Sequence, residues 1–357
     1  MNTKPVVAVA MSGGVDSSVA AALLVQQGYQ VIGMMLRLWS EPGSESDNRC
    51  CTADSMALAR RVASRLEIPF YAIDARELFR QTVVEAFLAG YSQNLTPNPC
   101  LVCNRIVRWD FLLNQALSAG ATHLATGHYA RITQNQNELI ELRRGVDSLK
   151  DQSYVLHVLN QAQLHHSMFP LGDYTKSEVR QLARDFNLPV AERQESQDLC
   201  FLASKDYRPF LLRYAPGAIT PGPIYDKQGT KLGHHQGLPF YTIGQRKGLG
   251  ISSPHPHYVI KKDTANNALI VGVLEELGVN ELTTSAVNWI SGTPPSAPFR
   301  GQVKIRYSAH TTWGLITPLI DGSVQIRFAE KLRDITPGQS AVIFDGEKVL
   351  GGGIIQA

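Results

Sequence analysis

The cysteines are the residues most able to carry chemistry in this chain of 357 residues. There are five of them: Cys50, Cys51, Cys100, Cys103 and Cys200. Structural disulfides are typical of secreted proteins with paired cysteines, whereas here the count is odd and the first residues show no signal-peptide pattern. The cysteines therefore predict either a metal site or reactive thiols.

Zinc is the first alternative for the cysteines. Cys100 and Cys103 form a C-x-x-C, whereas Cys50 and Cys51 are adjacent. A four-cysteine zinc site usually takes two spaced C-x-x-C pairs, which the adjacent pair does not supply. Buried, unreactive thiols are the simpler interpretation of Cys50 and Cys51.

Cys103 is the stronger candidate for a nucleophile. It stands just before a predicted helix over residues 105–117, whose dipole, together with Arg105 and Arg108, would stabilise a thiolate. Cys200 is followed by a phenylalanine and a leucine, and taken alone that setting is more typical of a core position.

A segment rich in glycine and serine, Ser12 to Ser18, is the second chemical signal. It follows a predicted strand and opens a predicted helix. Its two glycines let the backbone turn tightly, and its serine hydroxyls add donors at the positive end of the helix. The segment lacks the Gly-Lys-Ser or Gly-Lys-Thr ending of a Walker loop, and no G-x-G-x-x-G follows the strand. We predict an anion site of another kind.

The first part of the chain predicts a parallel sheet covered by helices, because apolar strand-like runs alternate with amphipathic helical windows. Right-handed crossovers place the carboxyl ends of such strands on one edge, where ligands bind. The predicted strands cover residues 6–10, 31–36, 70–73 and 123–126, and the predicted helices cover 15–27, 52–66, 77–91 and 105–117. Residues 96–103 are predicted to be a loop.

The later parts of the chain have a different pattern. Two short alternating runs within residues 132–144 predict a hairpin at the margin of the parallel sheet. A capping box, Thr175 with Glu178, predicts a helix to about residue 187. After about residue 280 the alternation and the Asp-Gly turns predict a small barrel. The predicted domains are a catalytic domain over 1–207, a central domain over 208–279 and a C-terminal β-barrel over 280–357.

The segment Ser12 to Ser18 resembles the pyrophosphate loop (PP-loop) of the N-type ATP pyrophosphatases, the adenine nucleotide α-hydrolase group. The resemblance implies an α-hydrolase-like α/β fold for the first domain and cleavage of ATP between its α and β phosphates. It also implies Mg²⁺ near Asp16, because a carboxylate beside a triphosphate is otherwise repelled. The implied ATP-binding residues are Ala10, Met11, Ser12, Gly13, Gly14, Val15, Asp16, Ser17, Leu36 and Gly127.

A longer series of segments is similar to the tRNA-specific 2-thiouridylase (MnmA) family. The segments follow in order over nearly the whole chain and are residues 97–104, 127–129, 150–154, 196–201, 235–237, 244–250 and 337–339. This resemblance implies ATP-dependent 2-thiolation of the wobble uridine, U34, in the tRNAs for Lys, Glu and Gln. It also implies that Cys103 is the catalytic nucleophile and that Cys200 bears a persulfide, with a Cys103–Cys200 disulfide as the end product.

The residue types suit that reaction. Adenylation would turn the C2 oxygen of uracil, a poor leaving group, into part of AMP. Cys103 would attack the Cys200 persulfide, either releasing sulfide or collapsing an enzyme-bound intermediate, and both routes end in the same disulfide. The resemblance thus implies a persulfide donor, supplied by a cysteine desulfurase or a sulfur-relay carrier protein, and a reductant.

The same resemblance implies contacts with RNA. The target uridine must leave the base stack to reach the thiols, and Asn98, Pro99 and Cys100 are placed against it. Some family members carry aspartate where this chain has Cys100, so we assign that thiol no catalytic role. The implied tRNA-binding residues are His128, Lys150, Asp151, Gln152, Arg306, Tyr307 and Gln339. The plainer alternatives are that Arg306 is an outward strand residue and Lys150 a solvated loop charge.

The sequence leaves two other classes open. One is a PP-loop enzyme that transfers nitrogen to its adenylated substrate, for which Cys103 and Cys200 would be dispensable. The other is a non-enzymatic RNA-binding protein with a cysteine metal site. A formal charge of +3 is too small to decide between them. Since no apolar run is long enough to span a bilayer and no leader pattern is present, we expect a cytoplasmic protein without a membrane partner.

Overall fold

The computed structural model describes residues 4–42, 52–194, 199–202 and 206–356. Cys50, Cys51 and residues 196–198 of the segment 196–201 lie outside the described residues. The helices are α1 (Val15–Gln26), α2 (Ala53–Arg65), α3 (Arg76–Phe79), α4 (Glu85–Ser92), α5 (Pro99–Val102), α6 (Leu113–Ser118), α7 (Ser153–Leu156), α8 (Gln161–His165), α9 (Lys176–Asp185) and α10 (Arg208–Tyr214). Two π-helical stretches cover Arg80–Val84 and Cys103–Leu112, and 3₁₀ turns cover Pro216–Ala218, Leu238–Phe240 and Leu274–Glu276.

The strands divide among three sheets. They are β1 (Val6–Ala10), β2 (Gln30–Arg37), β3 (Phe70–Asp74), β4 (His123–Ala125), β5 (Ala130–Gln134), β6 (Ile140–Arg144), β7 (Ser167–Met168), β8 (Gly222–Tyr225), β9 (Lys231–His235), β10 (Tyr258–Asp263), β11 (Ala268–Gly272), β12 (Val279–Thr284), β13 (Asn288–Trp289), β14 (Phe299–Lys304), β15 (Thr312–Pro318), β16 (Val324–Leu332), β17 (Ser340–Asp345) and β18 (Lys348–Ile354). No described helix is both long enough and apolar enough to cross a membrane.

The first sheet is parallel throughout, in the order β3-β2-β1-β4-β7, which confirms the predicted α/β fold. Side chains alternate across β1, so that Val7 and Val9 enter the core shared with α1 and α9, while Ala8 enters the core on the opposite face. The carboxyl end of β1 leads directly into the loop before α1. This arrangement places the Ser12 to Ser18 segment at the ligand-binding edge of the sheet.

Local capping fixes two helices of this domain. Thr52 accepts the backbone N–H of Ser55 at 3.0 Å and begins α2. Thr175 and Glu178 form the predicted capping box of α9, in which Glu178 Oε2 accepts the Thr175 N–H at 2.7 Å. The first residue of α9 is Lys176.

The helix that carries Cys103 begins earlier than the sequence predicts. Helical backbone starts at Pro99 and continues through Cys103–Leu112 into α6, so the prediction of a loop up to Cys103 is wrong. Asn98 caps the helix by accepting the N–H of Cys100 at 3.1 Å, and Pro99 takes the first position, where no backbone N–H is needed. Cys103 therefore lies inside the helix, where the dipole stabilises a thiolate less than at its first residue.

The central part of the chain forms a small mixed sheet in the order β10-β11-β8-β9, in which β11 and β8 are parallel. Its buried face, which includes Ile224 and Val259, joins a core with aromatic side chains from the first domain. Phe87 of α4 packs edge-on against Phe201 with ring centroids 5.2 Å apart. The central sheet thus closes over the region that contains Cys103 and Cys200.

The C-terminal part forms an antiparallel sheet of nine strands, in keeping with the predicted β-barrel domain. The path is β12-β16-β15-β14-β17-β18-β6-β5, with β13 paired to β18. The hairpin of β5 and β6 therefore belongs to this sheet, and its predicted place at the margin of the parallel sheet is wrong. The reason lies in its apolar face, where Leu142 packs in one core with Val342 and Val349.

Candidate active site at the edge of the parallel sheet

The loop after β1 is held in shape by its own serines. Ser17 Oγ accepts the N–H of Ser12 at 3.1 Å and donates to the Gly14 carbonyl at 3.3 Å. Ser18 Oγ donates to the same carbonyl at 2.8 Å. Gly13 has φ +69°, a conformation that glycine adopts without strain. The loop is thus preformed around the amino end of α1, where the helix dipole favours an anion.

Asp16, in the first turn of α1, is held by two residues from distant parts of the chain. Lys176 Nζ lies 2.6 Å from Asp16 Oδ1, and the Tyr129 hydroxyl donates to the same oxygen at 2.9 Å. The Lys176 ammonium also lies 5.7 Å from the centre of the Tyr129 ring. The side chain of Lys176 is 12% exposed and that of Asp16 35%, so the pair stands at the mouth of the loop.

Gly127 lies against this loop from the carboxyl end of β4. A Cβ at this position would lie 2.8 Å from the backbone carbon of Asp16 and 2.8 Å from the nitrogen of Ser17. Only a residue without a side chain permits that approach. On the other side of the loop, Arg193 donates to the Gly13 carbonyl at 2.6 Å and to Ser55 Oγ at 2.8 Å.

The remaining predicted ATP-binding residues line the same edge. Ala10 is the last residue of β1, and the N–H of Met11 donates to the Met34 carbonyl at 2.8 Å. Leu36 lies near the carboxyl end of β2, partly buried. The structure therefore brings Ala10, Leu36, Gly127 and the Ser12 to Ser17 loop to one edge of one sheet.

Cys103 and Cys200 belong to the same apolar cluster. Cys103 is 9% exposed and belongs to the core that contains Phe79, Phe87 and Phe201. Cys200 is half-buried and packs against the same core. Burial among aromatic rings limits the access of water to both thiols. Within the described residues, no group of three or more His, Cys, Asp and Glu side chains is placed to hold a metal ion.

The loop predicted to contact the target base lies close to the C-terminal sheet. Cys100 is exposed at the start of α5. Gln339 donates to the carbonyl of Thr96 at 2.7 Å, which fixes the segment just before Asn98. Burial raises the pKa of Tyr307, and the charges of Asp151 and Cys100 add to this rise. Tyr307 is nevertheless 41% exposed, so its ring lines an accessible surface beside Cys100.

Two of the predicted tRNA-binding residues, His128 and Asp151, are buried and make internal contacts. His128 is buried, and burial, aided by the Arg108 guanidinium, holds the pKa of its imidazole well below the usual value. Arg108 Nη1 lies 3.1 Å from Nε2 of His128, so Nε2 accepts and Nδ1 donates to Thr126 Oγ1 at 2.7 Å. Asp151 is buried and accepts the N–H of Ser153 at 3.0 Å.

The other predicted contacts are partly accessible. Gln152 Oε1 accepts the N–H of Tyr129 at 3.1 Å, which connects this loop to the Asp16 contact. Arg306 donates to the Ile243 carbonyl at 3.1 Å and to Thr336 Oγ1, and burial lowers the pKa of its guanidinium. Lys150 is half-buried beside Asp151. Whether these residues contact RNA stays a prediction.

Sequence reasoning missed Tyr129, Lys176 and Arg193. No local pattern indicates the partners of these residues, because Lys176 reaches Asp16 across 160 residues and Arg193 reaches Gly13 across 180. One signal was available for Lys176, since a capping box fixes the helix start at which it stands.

Comparisons with known proteins agree with the fold. A model described as tRNA methyl transferase HUP domain matches residues 5–204, one described as tRNA methyl transferase PRC-barrel domain matches 208–273, and one described as aminomethyltransferase beta-barrel domain matches 279–355. The tRNA-specific 2-thiouridylase MnmA of Magnetococcus marinus is 49% identical over 351 residues, covering 98% of each chain. The chain belongs to the tRNA-specific 2-thiouridylase family. The resemblance seen in the sequence is thereby confirmed.

A second member of the 2-thiouridylase family, from Chloroflexus aggregans, is 45% identical over 350 residues and is also covered to 98% in both chains. Among solved structures, the U34-tRNA thiolase NcsA from Methanococcus maripaludis is similar at 21% identity and a TM-score of 0.36, covering 61% of this chain and 69% of that one. The family assignment rests on the near full-length relatives.

Proposed function

We propose that this protein uses ATP to replace the C2 oxygen of U34 with sulfur in the tRNAs for Lys, Glu and Gln. The observation that carries the proposal is that Cys103 and Cys200 belong to the same apolar cluster, although 97 positions separate them in the sequence. A nitrogen-transferring enzyme with the same loop has no use for such a pair. The family relatives named as 2-thiouridylases support the same conclusion.

The loop at the amino end of α1 suits the phosphates of ATP. Gly14 caps α1 without a side-chain hydrogen bond, so no side chain covers the first N–H groups of the helix, and Gly127 keeps that edge narrow. Both described contacts of Asp16 use Oδ1, which leaves Oδ2 to bind Mg²⁺. Lys176 supplies a positive charge at the same place and stabilises charge that develops on the leaving pyrophosphate.

The sulfur step needs both thiols. The Cys103 thiolate attacks the Cys200 sulfur that bears the persulfide, forms a Cys103–Cys200 disulfide and expels the outer sulfur as sulfide, which displaces AMP from C2 of uracil. In the alternative order the outer sulfur attacks C2 first, AMP leaves, and Cys103 then releases the thiolated base. Either order leaves two electrons to be returned to the disulfide by a reductant. The upstream donor is a cysteine desulfurase or a sulfur-relay carrier protein.

The target base reaches the thiols beside Asn98, Pro99 and Cys100. The exposed ring of Tyr307 next to Cys100 offers a surface on which an unstacked base can pack. Gln339 braces this loop through the Thr96 carbonyl. We propose that it positions the anticodon together with Arg306, Lys150, Asp151, Gln152 and His128.

The first test is mass spectrometry of U34 after unmodified tRNA is incubated with the protein, ATP, Mg²⁺ and a persulfide donor. We expect an ATP-dependent mass gain equal to the difference between sulfur and oxygen. A gain of one CH₂ would instead indicate methyl transfer, the chemistry for which two of the matching domain families are named. Absence of a gain while the donor loads Cys200 would favour the nitrogen-transferring alternative.

Cysteine variants test the mechanism. We expect Cys103→Ser and Cys200→Ser each to abolish sulfur incorporation, while adenylation of the tRNA, measured as release of pyrophosphate, continues because it precedes the sulfur step. Zinc content measured on the same samples addresses the RNA-binding alternative, for which the metal should be stoichiometric and ATP without effect. Full sulfur incorporation by either variant would overturn the roles assigned to the thiols.

A further inference from the structure

Two basic side chains stand on one face of the C-terminal sheet where it meets the first domain. Lys304 ends β14 opposite Val342 of β17, and Gln302 lies opposite Phe344. Residues two apart on a strand share a face, so Lys304, Val342 and Phe344 lie on the same side of the sheet. The guanidinium of Arg144, at the end of β6, lies 4.1 Å from the centre of the Phe344 ring, which places it on that face as well.

Several hydrogen-bond donors of Arg144 and Lys304 have no described acceptor. Nε and Nη2 of Arg144 are buried and have no hydrogen-bond partner in the part of the chain that the structure describes. The Lys304 ammonium lies 5.6 Å from the centre of the Tyr307 ring. Buried hydrogen-bond donors nearly always have an acceptor, so the unpaired nitrogen atoms of Arg144 indicate that a ligand supplies one.

The charges around the two cations do not balance. Burial lowers the pKa of Lys304, Asp151 opposes this effect, and the charge of Arg144 lowers the pKa further. Burial also lowers the pKa of Arg144, with Asp151 and Glu347 opposing. Asp151 already accepts backbone N–H groups from Gly145 and Ser153. Glu347 pairs with Arg131 at 3.0 Å. Both carboxylates near the two cations are therefore engaged by other groups, and the region favours an added anion.

The position of this region indicates which anion it takes. The Lys304 ammonium lies over the ring of Tyr307, and the charge of Cys100 contributes to the raised pKa of Tyr307. Tyr307 is therefore close to both Lys304 and Cys100. Tyr154 packs edge-on to Tyr307 with centroids 6.1 Å apart and completes the wall. The two cations therefore stand beside the loop that we propose receives the target base, and apart from the ATP loop at the edge of the parallel sheet.

We propose that Arg144 and Lys304 bind a phosphodiester group of the RNA strand next to the target nucleotide. A guanidinium offers a fork of donors that fits two phosphate oxygens, and an ammonium adds a point charge. This inference rests on the proposed function, because it assumes that an RNA strand enters the cleft. It assigns Arg144 and Lys304 to backbone contact, which holds the strand without reading its sequence.

The test compares Lys304→Met with Lys331→Met. Lys331 is an exposed lysine of β16 in the same sheet, and its loss removes the same charge. The probe is an anticodon stem-loop RNA, whose affinity is measured over a range of salt concentrations without ATP or a sulfur donor. We expect Lys304→Met to reduce the slope of log affinity against log salt by about 0.7, the change for one lost phosphate contact in a single strand. Lys331→Met should leave the slope unchanged.

A second probe separates phosphate from base recognition. In the same RNA with an abasic target position the phosphodiester remains, so the effect of Lys304→Met on the slope should remain. Arg144→Gln should weaken binding of both RNAs in the same way. The melting temperature of Lys304→Met should be no lower than that of the parent, because methionine keeps the stem and removes a half-buried charge.

The outcomes separate this inference from the proposed function. Equal slopes for Lys304→Met and Lys331→Met would overturn the phosphodiester site even if the protein thiolates tRNA. Disappearance of the effect with abasic RNA would assign Lys304 to the base and overturn it too, as would a lack of RNA binding by the parent. A slope that depends on Lys304 in a protein that forms no thiouridine would retain the site and refute the reaction.

Discussion

Replacing Gly127 with alanine tests whether the narrow edge beside the Ser12 to Ser18 loop is needed for nucleotide binding. The added Cβ would lie 2.8 Å from two backbone atoms, the carbon of Asp16 and the nitrogen of Ser17, and 3.1 Å from Asp16 Cβ. Ordinary contacts of a Cβ begin near 3.4 Å, so the loop must move by several tenths of an ångström. Flexible side-chain ends cannot absorb this shift, because two of the three atoms are backbone.

The size of the effect follows from that overlap. Overpacking a well-filled site typically lowers the free energy of unfolding by about 1 to 3 kcal/mol. The shift also displaces Asp16 relative to Lys176 and Tyr129, which hold its Oδ1 at 2.6 and 2.9 Å. We expect the ATP dissociation constant of Gly127→Ala to rise at least about tenfold, equivalent to about 1.4 kcal/mol.

Gly217 provides the matched control. A Cβ at Gly217 would meet no heavy atom within 4 Å, and its φ is outside the left-handed region. Gly217→Ala should therefore be neutral or more stable by about 0.4 to 1 kcal/mol. Calorimetric titration with ATP and urea denaturation measure the two quantities. If Gly127→Ala bound ATP like the parent and matched Gly217→Ala in stability, the steric reasoning and the placement of the nucleotide would both be refuted.

Two further predictions concern charged groups. Lys176→Met should weaken ATP binding by about 1.5 to 3 kcal/mol, the usual value of a hydrogen bond to a charged group. The control is Arg184→Met on the same helix, which loses only an exposed ion pair with Glu192 and should bind ATP normally. Equal ATP titration curves for the two variants would exclude Lys176 from the site. His157 is buried, burial lowers its pKa from 6.5 to about 4, and its neutral form is therefore favoured in the folded state. Above pH 6.5 the imidazole is neutral in both the folded and the unfolded state, so it does not lower the free energy of unfolding. As the pH drops through 6.5 toward 4, the unfolded state binds the proton more readily, and the free energy of unfolding should fall by about 3 kcal/mol. Urea denaturation across that range should show a smaller loss for His157→Gln, and an equal loss would contradict the assignment to His157.

The parallel sheet was predictable because its elements are local. The βαβ repeat reads directly from apolar periodicity, and the Thr175–Glu178 capping box needs only residues three apart. The position of the loop after β1 follows from the same pattern, because a strand followed by a glycine turn and a helix has few alternatives. The sequence thus predicted which edge of which sheet carries the candidate site.

The sequence failed where partners are distant or where a pattern fits two structures. Apolar and polar residues alternate in β5 and β6 as they do in any edge strand. Nothing within the hairpin indicates that its partner is β18, where Lys348 pairs with Arg143. Pro99 was interpreted as a loop residue although proline is also common at the first position of a helix, and the cap by Asn98 decides between the two. Lys176 was missed because its contact with Asp16 depends on how the whole first domain closes.

The shared hairpin has a consequence for synthesis of the chain on the ribosome. β6 emerges about 200 residues before β18, so at ordinary elongation rates its open edge waits roughly 10 to 40 s for its partner. During that interval Leu142 lacks Val342 and Val349, the neighbours that later bury it. An unpaired strand edge with an apolar face is an aggregation hazard. Completion of the last strand is thus also the step that protects a segment made much earlier, and nascent chains halted before β18 are the form of this protein most in need of a chaperone.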